Sequence, residues 1–133
     1  MNSNLQLLGL MKKAGLLAVG GDAAAAAARA GKARLVVIAS DASTNARSRA
    51  AYISKISRTA CVIVPFTKFE IGSVTGRGSP GTVAVLDAGF SARFARGLAM
   101  TDPDLYGETA ESLEGRSRAA ASKNNPNQRR TAK

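Results

Sequence analysis

Three short apolar runs restrict the fold of this chain more than any other feature: Leu35–Ala39 (LVVIA), Cys61–Val64 (CVIV) and Thr82–Leu86 (TVAVL). Their length and β-branched content are typical of strands buried on both faces. Segments with helical spacing separate them, and a weaker run at Leu16–Val19 precedes them. Strands that alternate with helices predict an α/β fold. We expect a three-layer α/β/α sandwich whose four-stranded sheet is mostly parallel or mixed.

The segments between these runs carry signals for the start of a helix. Thr67 and Glu70 have the Thr-x-x-Glu spacing of a capping box, in which each residue satisfies a free backbone N–H of the other. An alanine-rich segment after Asp22 has the highest helix propensity available. The expected helix starts are Ser3, Asp22, either Asp41 or Ser43, Thr67 and Gly89.

Charge is distributed unevenly along the 133 residues, whose net charge is +10. Residues 1–100 contain 13 basic and 4 acidic side chains, residues 101–114 contain five acids and no base, and residues 115–133 contain six bases and no acid. Residues 101–133 are also poor in apolar residues, so they cannot offset the entropy cost of ordering. We expect one domain over residues 1–100 and a disordered tail, acidic and then basic, over residues 101–133.

The composition argues against catalysis and against a metal or a cofactor. The chain has no histidine and one cysteine, Cys61, which removes the usual zinc ligand sets and the Ser/His and Cys/His nucleophiles. The carboxylates of the first hundred residues stand apart from one another, and neither G-x-G-x-x-G nor a Walker lysine motif is present. We expect no enzymatic activity, no metal and no cofactor.

The excess of basic over acidic residues indicates that the protein binds a polyanion. No run of eighteen apolar residues and no signal peptide pattern occurs, so we expect a cytoplasmic protein that does not enter a membrane. A merely soluble cationic domain remains an alternative at this point. An amphipathic membrane helix is a weaker one, because aromatic residues are few.

Three turns link the end of a strand to the start of a helix: Gly20–Asp22, Ser40–Ala42 and Pro65–Thr67. Such loops usually form the binding edge of an α/β sheet. Gly20 and Gly21 allow a close backbone approach, and the free N–H groups of a first helical turn favour phosphate oxygens. Two glycines before a helix are, however, more often a plain tight turn than a binding site. The loop at 75–81 adds a guanidinium, that of Arg77, on a glycine-rich backbone.

The sequence resembles the kink-turn RNA-binding ribosomal protein superfamily, and most closely its small bacterial members of the YlxQ type. The similar segments are LLGLMKKAG, the Gly20–Gly21 turn, Gly31–Asp41 (GKARLVVIASD), TKFEIG and GTVAVLD, within residues 4–100. The resemblance implies an α/β/α sandwich without enzymatic activity. It also implies recognition of a sharply bent RNA internal loop that contains tandem sheared G·A pairs.

The resemblance further implies which residues meet RNA. In well-known members the helix after the glycine turn begins with Asn-Glu and has Lys three residues later; these positions are Asp22, Ala23 and Ala26 in this sequence. The loop before the last strand corresponds to residues 77–80. The residues expected at the RNA are Gly20, Gly21, Asp22, Ala23, Ala26, Asp41, Arg77, Gly78, Ser79 and Pro80.

Ala23 and Ala26 depart from the family pattern, because a methyl group makes neither a polar base contact nor a salt bridge. Each lost contact is worth about 1 to 3 kcal/mol if it resembles a good base contact. We expect a monomeric, ribosome-associated protein that recognises kink-turn-like RNA. Two alternatives remain: a protein-interaction module that kept the fold but lost this specificity, and, less favoured, a small enzyme acting on a nucleotide or RNA.

Overall fold

A computed structural model of the chain describes residues 3–76 and 78–123, which form six helices and four strands. The elements are α1 (Ser3–Lys13), β1 (Leu17–Val19), α2 (Gly21–Arg29), β2 (Leu35–Ile38), α3 (Thr44–Ser57), β3 (Ala60–Ile63), α4 (Lys68–Thr75), β4 (Thr82–Val85), α5 (Ala88–Thr101) and α6 (Pro103–Lys123). They divide into two compact units, one that ends at Asp87 and one that begins at Ala88.

The four strands form one mixed sheet in the order β1-β4-β2-β3. Strands β2 and β3 are parallel, whereas β4 lies between β1 and β2 and is antiparallel to both. At one end of the register Leu35 pairs with Val85 on one side and with Ala60 on the other. Strands β1, β2 and β3 therefore run in one direction and β4 runs in the other, so the α/β sheet is mixed with a single parallel pair.

Alternate residues of the strands face opposite sides of the sheet. On one side, Ala84 packs in a buried cluster with alanines of α2 and with Ile53 of α3. Val83 and Val85 alternate with Ala84 and are completely buried on the other side. Helices α1 and α4 pack against each other, and α1 also contacts β1. This arrangement agrees with the expected α/β/α sandwich.

The caps of α3 and α4 agree with the sequence signals, whereas α2 begins at Gly21, one residue before the expected Asp22, and has no side-chain cap. Ser43, rather than Asp41, caps α3, since its hydroxyl accepts a hydrogen bond from the Ala46 N–H at 3.1 Å. The capping box of α4 is present, with the Glu70 N–H 3.1 Å from the Thr67 hydroxyl and the Thr67 N–H 2.9 Å from the Glu70 carboxylate. These contacts satisfy N–H groups that a helix start otherwise leaves without a partner.

Strand β3 differs from the expectation of a strand buried on both faces. It spans Ala60–Ile63, lies at the edge of the sheet, and leaves Ile63 47% exposed. A short apolar run does not distinguish an edge strand from a central one, so the prediction that β3 is buried on both faces was wrong. Cys61 is half-buried in this strand, and burial raises the pKa of its thiol above the ordinary value.

The tail differs more strongly, because residues expected to be disordered form helix α6. Pro103 is its first residue, and the Asp102 carboxylate accepts a hydrogen bond from the Leu105 N–H at 3.2 Å. Asp before Pro is a favourable helix start that the overall composition concealed. Within this unit α6 packs against α5, and a 2.8 Å ion pair joins Arg96 to Glu114. Residues 124–133 lie outside the described residues.

Gly20 determines how the chain turns from β1 into α2. Its φ of 103° and ψ of 156° lie in a region that is essentially restricted to glycine, and its N–H donates to the Thr82 carbonyl at 2.9 Å. Gly21 follows as the first residue of α2 without a positive φ, and a Cβ there would lie 3.5 Å from the Arg49 guanidinium, an ordinary contact.

We expect Gly20→Ala to lower the free energy of unfolding by about 1 to 3 kcal/mol, since alanine is strained at this φ and ψ. Gly21→Ala, the control at the next residue, should change it by less than about 0.5 kcal/mol. Urea denaturation followed by circular dichroism measures both. Equal effects would contradict a specific backbone requirement at Gly20.

Close packing of α2 on the sheet generates a second prediction. Ala28 is 2% exposed in the cluster with Ala84, whereas Ala26 of the same helix is exposed. We expect Ala28→Leu to destabilise the fold by about 1 to 3 kcal/mol through overpacking. Ala26→Leu adds the same side chain without steric conflict and with little change in helix propensity. Urea denaturation measures both variants. If their midpoints coincide, the interface between α2 and the sheet has room for a larger side chain and the prediction is wrong.

Candidate nucleic-acid interface

The loops predicted to form the binding site lie together at one edge of the sheet, the edge formed by the ends of the strands and not by an outer strand. Strands β1, β2 and β3 end there and β4 begins there. Backbone hydrogen bonds tie the loops together: the Ser40 N–H donates to the Phe66 carbonyl at 2.8 Å, and the Ala39 N–H to the Gly81 carbonyl at 2.9 Å. We call this edge the glycine edge; its residues are Gly20–Asp22, Ser40–Asp41, Phe66–Lys68 and Gly78–Thr82.

The first turn of α2 presents free backbone donors at the glycine edge. The helix begins at Gly21, and the first intrahelical bond runs from the Ala24 N–H to the Gly20 carbonyl at 2.9 Å. The N–H groups of Gly21, Asp22 and Ala23 precede this bond, and no described side chain accepts a hydrogen bond from them. Their direction and the helix dipole favour oxygens that carry negative charge.

Asp22 forms an ion pair that the sequence did not predict. Its carboxylate lies 2.8 Å from the guanidinium of Arg49 on α3, and its side chain is 95% exposed. An ion pair this open to water is weak, so both groups can exchange partners when a ligand arrives. Arg49 lies four residues before the buried Ile53, so the two residues are neighbours on one face of α3. This spacing is the sequence signal from which a role for Arg49 could have been predicted.

Ala23 and Ala26 are both exposed on α2. Each therefore offers a methyl group to solvent at a position where the resembling family has a polar side chain. Neither alanine belongs to the buried cluster between α2 and the sheet. Packing of the fold thus does not require a small residue at either position.

Asp41 has a structural role. Its carboxylate accepts a hydrogen bond from the Lys68 N–H at 2.8 Å and so joins the turn after β2 to the start of α4. The Arg47 side chain donates to the carbonyls of Ser40 and Ala42 and holds the same turn from the other side. One Asp41 oxygen is therefore already used within the protein.

The loop before β4 reaches the same edge. Gly78 and Ser79 are exposed and Pro80 is half-buried, directly before the strand that begins at Thr82. Arg77, which the sequence assigned to this loop as its charged group, lies outside the described residues. The structure thus brings the α2 turn and residues 78–80 to one edge, while the position of the guanidinium stays a prediction.

A small pocket lies between α2 and α3 next to the Asp22–Arg49 pair. Its volume is about 120 Å³. Arg49 is its one charged residue, and the other lining residues are small or apolar: Gly21, Ala24, Ala25, Val36, Ala46, Ala50, Ile53, Gly81 and Thr82. The described part of the chain contains no group of three His, Cys, Asp or Glu residues that could hold a metal ion.

The charges of the glycine edge and of the side chains bonded to it balance among the described residues. The acidic side chains are Asp22, Asp41 and Glu70, and the basic ones are Arg47, Arg49 and Lys68. Asp22 and Arg49 neutralise each other directly. As far as the chain is described, this surface therefore has hydrogen-bond donors and acceptors but no excess of positive charge.

No described helix is both long and apolar enough to cross a membrane. No curated protein sequence matches the chain. Among solved structures the chain is similar to a protein with unknown function from Bacillus halodurans, with 26% sequence identity and a TM-score of 0.68. That similarity covers 74% of this chain and 98% of the other.

Comparison with protein families matches residues 3–95 to the family described as ribosomal protein L7Ae/L30e/S12e/Gadd45. The match spans well over half of the chain and includes every element of the first compact unit as well as the start of α5. The resemblance to this superfamily is thereby confirmed: the chain belongs to the ribosomal protein L7Ae/L30e/S12e/Gadd45 family.

Proposed function

We propose that this protein binds structured RNA without catalysing a reaction, and that the glycine edge recognises a kink-turn-like bend. Membership in a ribosomal protein family supports RNA binding. The observation that carries the finer proposal is the meeting of two elements at one edge. These are the uncapped N-terminus of α2 and the loop residues 78–80.

Recognition would begin with the backbone of α2. The free N–H groups of Gly21 and Asp22 donate to phosphate or ribose oxygens, which positions the RNA without reading its sequence. Gly20 and Gly21 have no side chains that would keep the RNA backbone away. The RNA bend then places its base edges beside the first turn of the helix.

Asp22 supplies the base contact. Guanine presents N–H donors that a carboxylate accepts, and in a bent internal loop these donors are accessible. When Asp22 turns to a guanine, Arg49 loses its partner and becomes free to meet a phosphate. The ion pair seen in the protein is therefore the resting arrangement of two RNA-binding groups.

We expect the full-length protein to bind a kink-turn RNA more tightly than a straight RNA duplex of equal length, because only the bent RNA fits both parts of the glycine edge. Asp22→Ala should reduce this preference by roughly tenfold, the equivalent of one base contact of about 1 to 3 kcal/mol. Fluorescence anisotropy with both RNAs measures it. Arg93→Gln in α5 serves as a control that leaves the edge intact.

Equal binding of both RNAs by the unmodified protein would contradict kink-turn recognition. It would favour the second candidate, a protein-interaction module that kept the fold. The exposed methyl groups of Ala23 and Ala26 and the balanced charge of the glycine edge support that candidate. Partners that remain on the immobilised protein after nuclease treatment would support it directly.

The two exposed alanines permit a test by restoration. We expect the double variant Ala23→Glu/Ala26→Lys to bind the kink-turn RNA at least tenfold more tightly, since it regains two polar contacts of the order of 1 to 3 kcal/mol each. Affinity for the straight duplex should change little. Unchanged affinity for both RNAs would show that the glycine edge does not meet the RNA in the orientation proposed.

We further propose that the protein is a cytoplasmic monomer that associates with ribosomal particles, and that its nearest relatives are the small bacterial YlxQ-type proteins. Family membership supports the ribosomal association. Sedimentation of the protein with ribosomal particles in a sucrose gradient tests it. A position at the top of the gradient, with and without RNase treatment, would contradict it.

A further inference from the structure

The edge of the sheet opposite the glycine edge carries most of the positive charge of the first compact unit. Strands β1, β2 and β3 begin there and β4 ends there. Seven basic residues lie at this edge, which we call the basic edge: Lys12, Lys13, Arg29, Lys32, Arg34, Lys55 and Arg58. Within the first compact unit, Asp87 is the one acidic residue of the described chain at this edge.

Backbone contacts bring these residues together from three separate segments, 12–13, 29–34 and 55–58. The Arg34 N–H donates to the Val85 carbonyl at 2.7 Å, and the next residue, Leu35, pairs with Ala60, which follows the α3 cap at Arg58 after one intervening residue. The Lys32 N–H donates to the Ala27 carbonyl at 2.9 Å, which folds the loop onto the end of α2. Lys12 and Lys13 end α1 just before β1.

Among the described residues, the seven basic side chains have no partner that neutralises them. Lys12 is half-buried and the other six are exposed. None of the seven side chains forms an ion pair or hydrogen bond with another described residue. Like charges gathered this way repel one another, and a polyanion that replaces their counterions relieves this repulsion.

Helix dipoles account for only part of this arrangement. Helices α1, α2 and α3 end at the basic edge, and cations near a helix C-terminus are favourable because each terminus carries about half a negative charge. Three helix ends therefore offset fewer than two of the seven charges. Lys32 and Arg34, moreover, lie in the loop after α2 rather than in a helix.

We infer that the basic edge is a second RNA-binding surface, one that holds the phosphate backbone of a helical RNA segment. The segments that carry these side chains, residues 12–13, 29–34 and 55–58, contain no aromatic residue, so the surface suits phosphates rather than stacked single-stranded bases. The inference rests on the proposed RNA-binding function and extends it: the glycine edge selects a shape, and the basic edge supplies salt-dependent affinity.

The test compares two triple variants of the full-length protein that change the net charge equally. The basic-edge variant is Lys32→Gln/Arg34→Gln/Lys55→Gln. The control is Arg93→Gln/Arg116→Gln/Arg118→Gln, at exposed positions of the second compact unit. Affinities for a straight RNA duplex and for a kink-turn RNA are measured over a series of salt concentrations, together with the melting temperature of each variant.

We expect the basic-edge variant to lose on the order of tenfold to a hundredfold in affinity for both RNAs at low salt. The slope of log K against log salt should fall in magnitude by about 2 to 3, since each phosphate contact contributes about 0.7 to 0.9. The preference for the kink-turn RNA should remain. The control variant should retain most of the affinity and of the slope.

Equal losses in the two variants would overturn the inference, because net charge alone would then explain the binding. A lower melting temperature of the basic-edge variant with unchanged RNA affinity would overturn the inference as well. It would show that the cations stabilise the fold through the helix dipoles and do not bind RNA. Equal affinity for polyglutamate would point to an acidic protein partner instead. RNA binding that depends only on Asp22 would overturn the inference about the basic edge but would support the proposed function. Absence of RNA binding would overturn both.

Discussion

The hydrogen bonds of β4 to β1 and β2 hold the first compact unit in the form on which both proposed surfaces depend. Because β4 lies antiparallel between two strands that run the same way, the three helices that follow β1, β2 and β3 all begin at one edge. Residue Val83 is the register point at which this strand meets Val19 and Val37. A parallel β4 would instead begin at the basic edge and would take residues 78–80 away from α2.

Helix direction then determines where each sign of charge is favourable. Acidic groups lie near the starts of α2 and α4, where Asp22 and Glu70 meet the positive end of a helix dipole. Basic groups lie near the ends of α1 and α2. The fold therefore separates charge between its two sheet edges before any ligand is present. The excess at the basic edge, from residues such as Lys32 and Arg34, goes beyond what the dipoles account for.

The sequence predicted those parts of the structure that local chemistry decides. The capping box at Thr67 and Glu70 and the buried run of β2 depend on neighbouring residues, and both are present. The exposed position of Ile63 depends on which strand occupies the sheet edge, a tertiary property that a short apolar run does not encode. The Asp22–Arg49 pair likewise joins residues of two helices. Helix α6 was missed because average composition outweighed the local signal at Asp102.

The alanine composition of α2 has two physical causes that the structure separates. Ala24, Ala25 and Ala28 are buried, and their small size lets the helix lie close to the sheet. Ala23 and Ala26 face solvent, where any good helix former would preserve the fold. Their side chains are therefore free to serve recognition without a cost in packing. In the proposed function, the methyl groups leave the glycine edge with backbone donors and Asp22 for specificity, and the affinity that two polar side chains would add has to come from elsewhere. Electrostatic attraction at the basic edge would be a source of that kind, since it would strengthen binding to any RNA and leave the choice among RNAs to the shape of the proposed glycine-edge site.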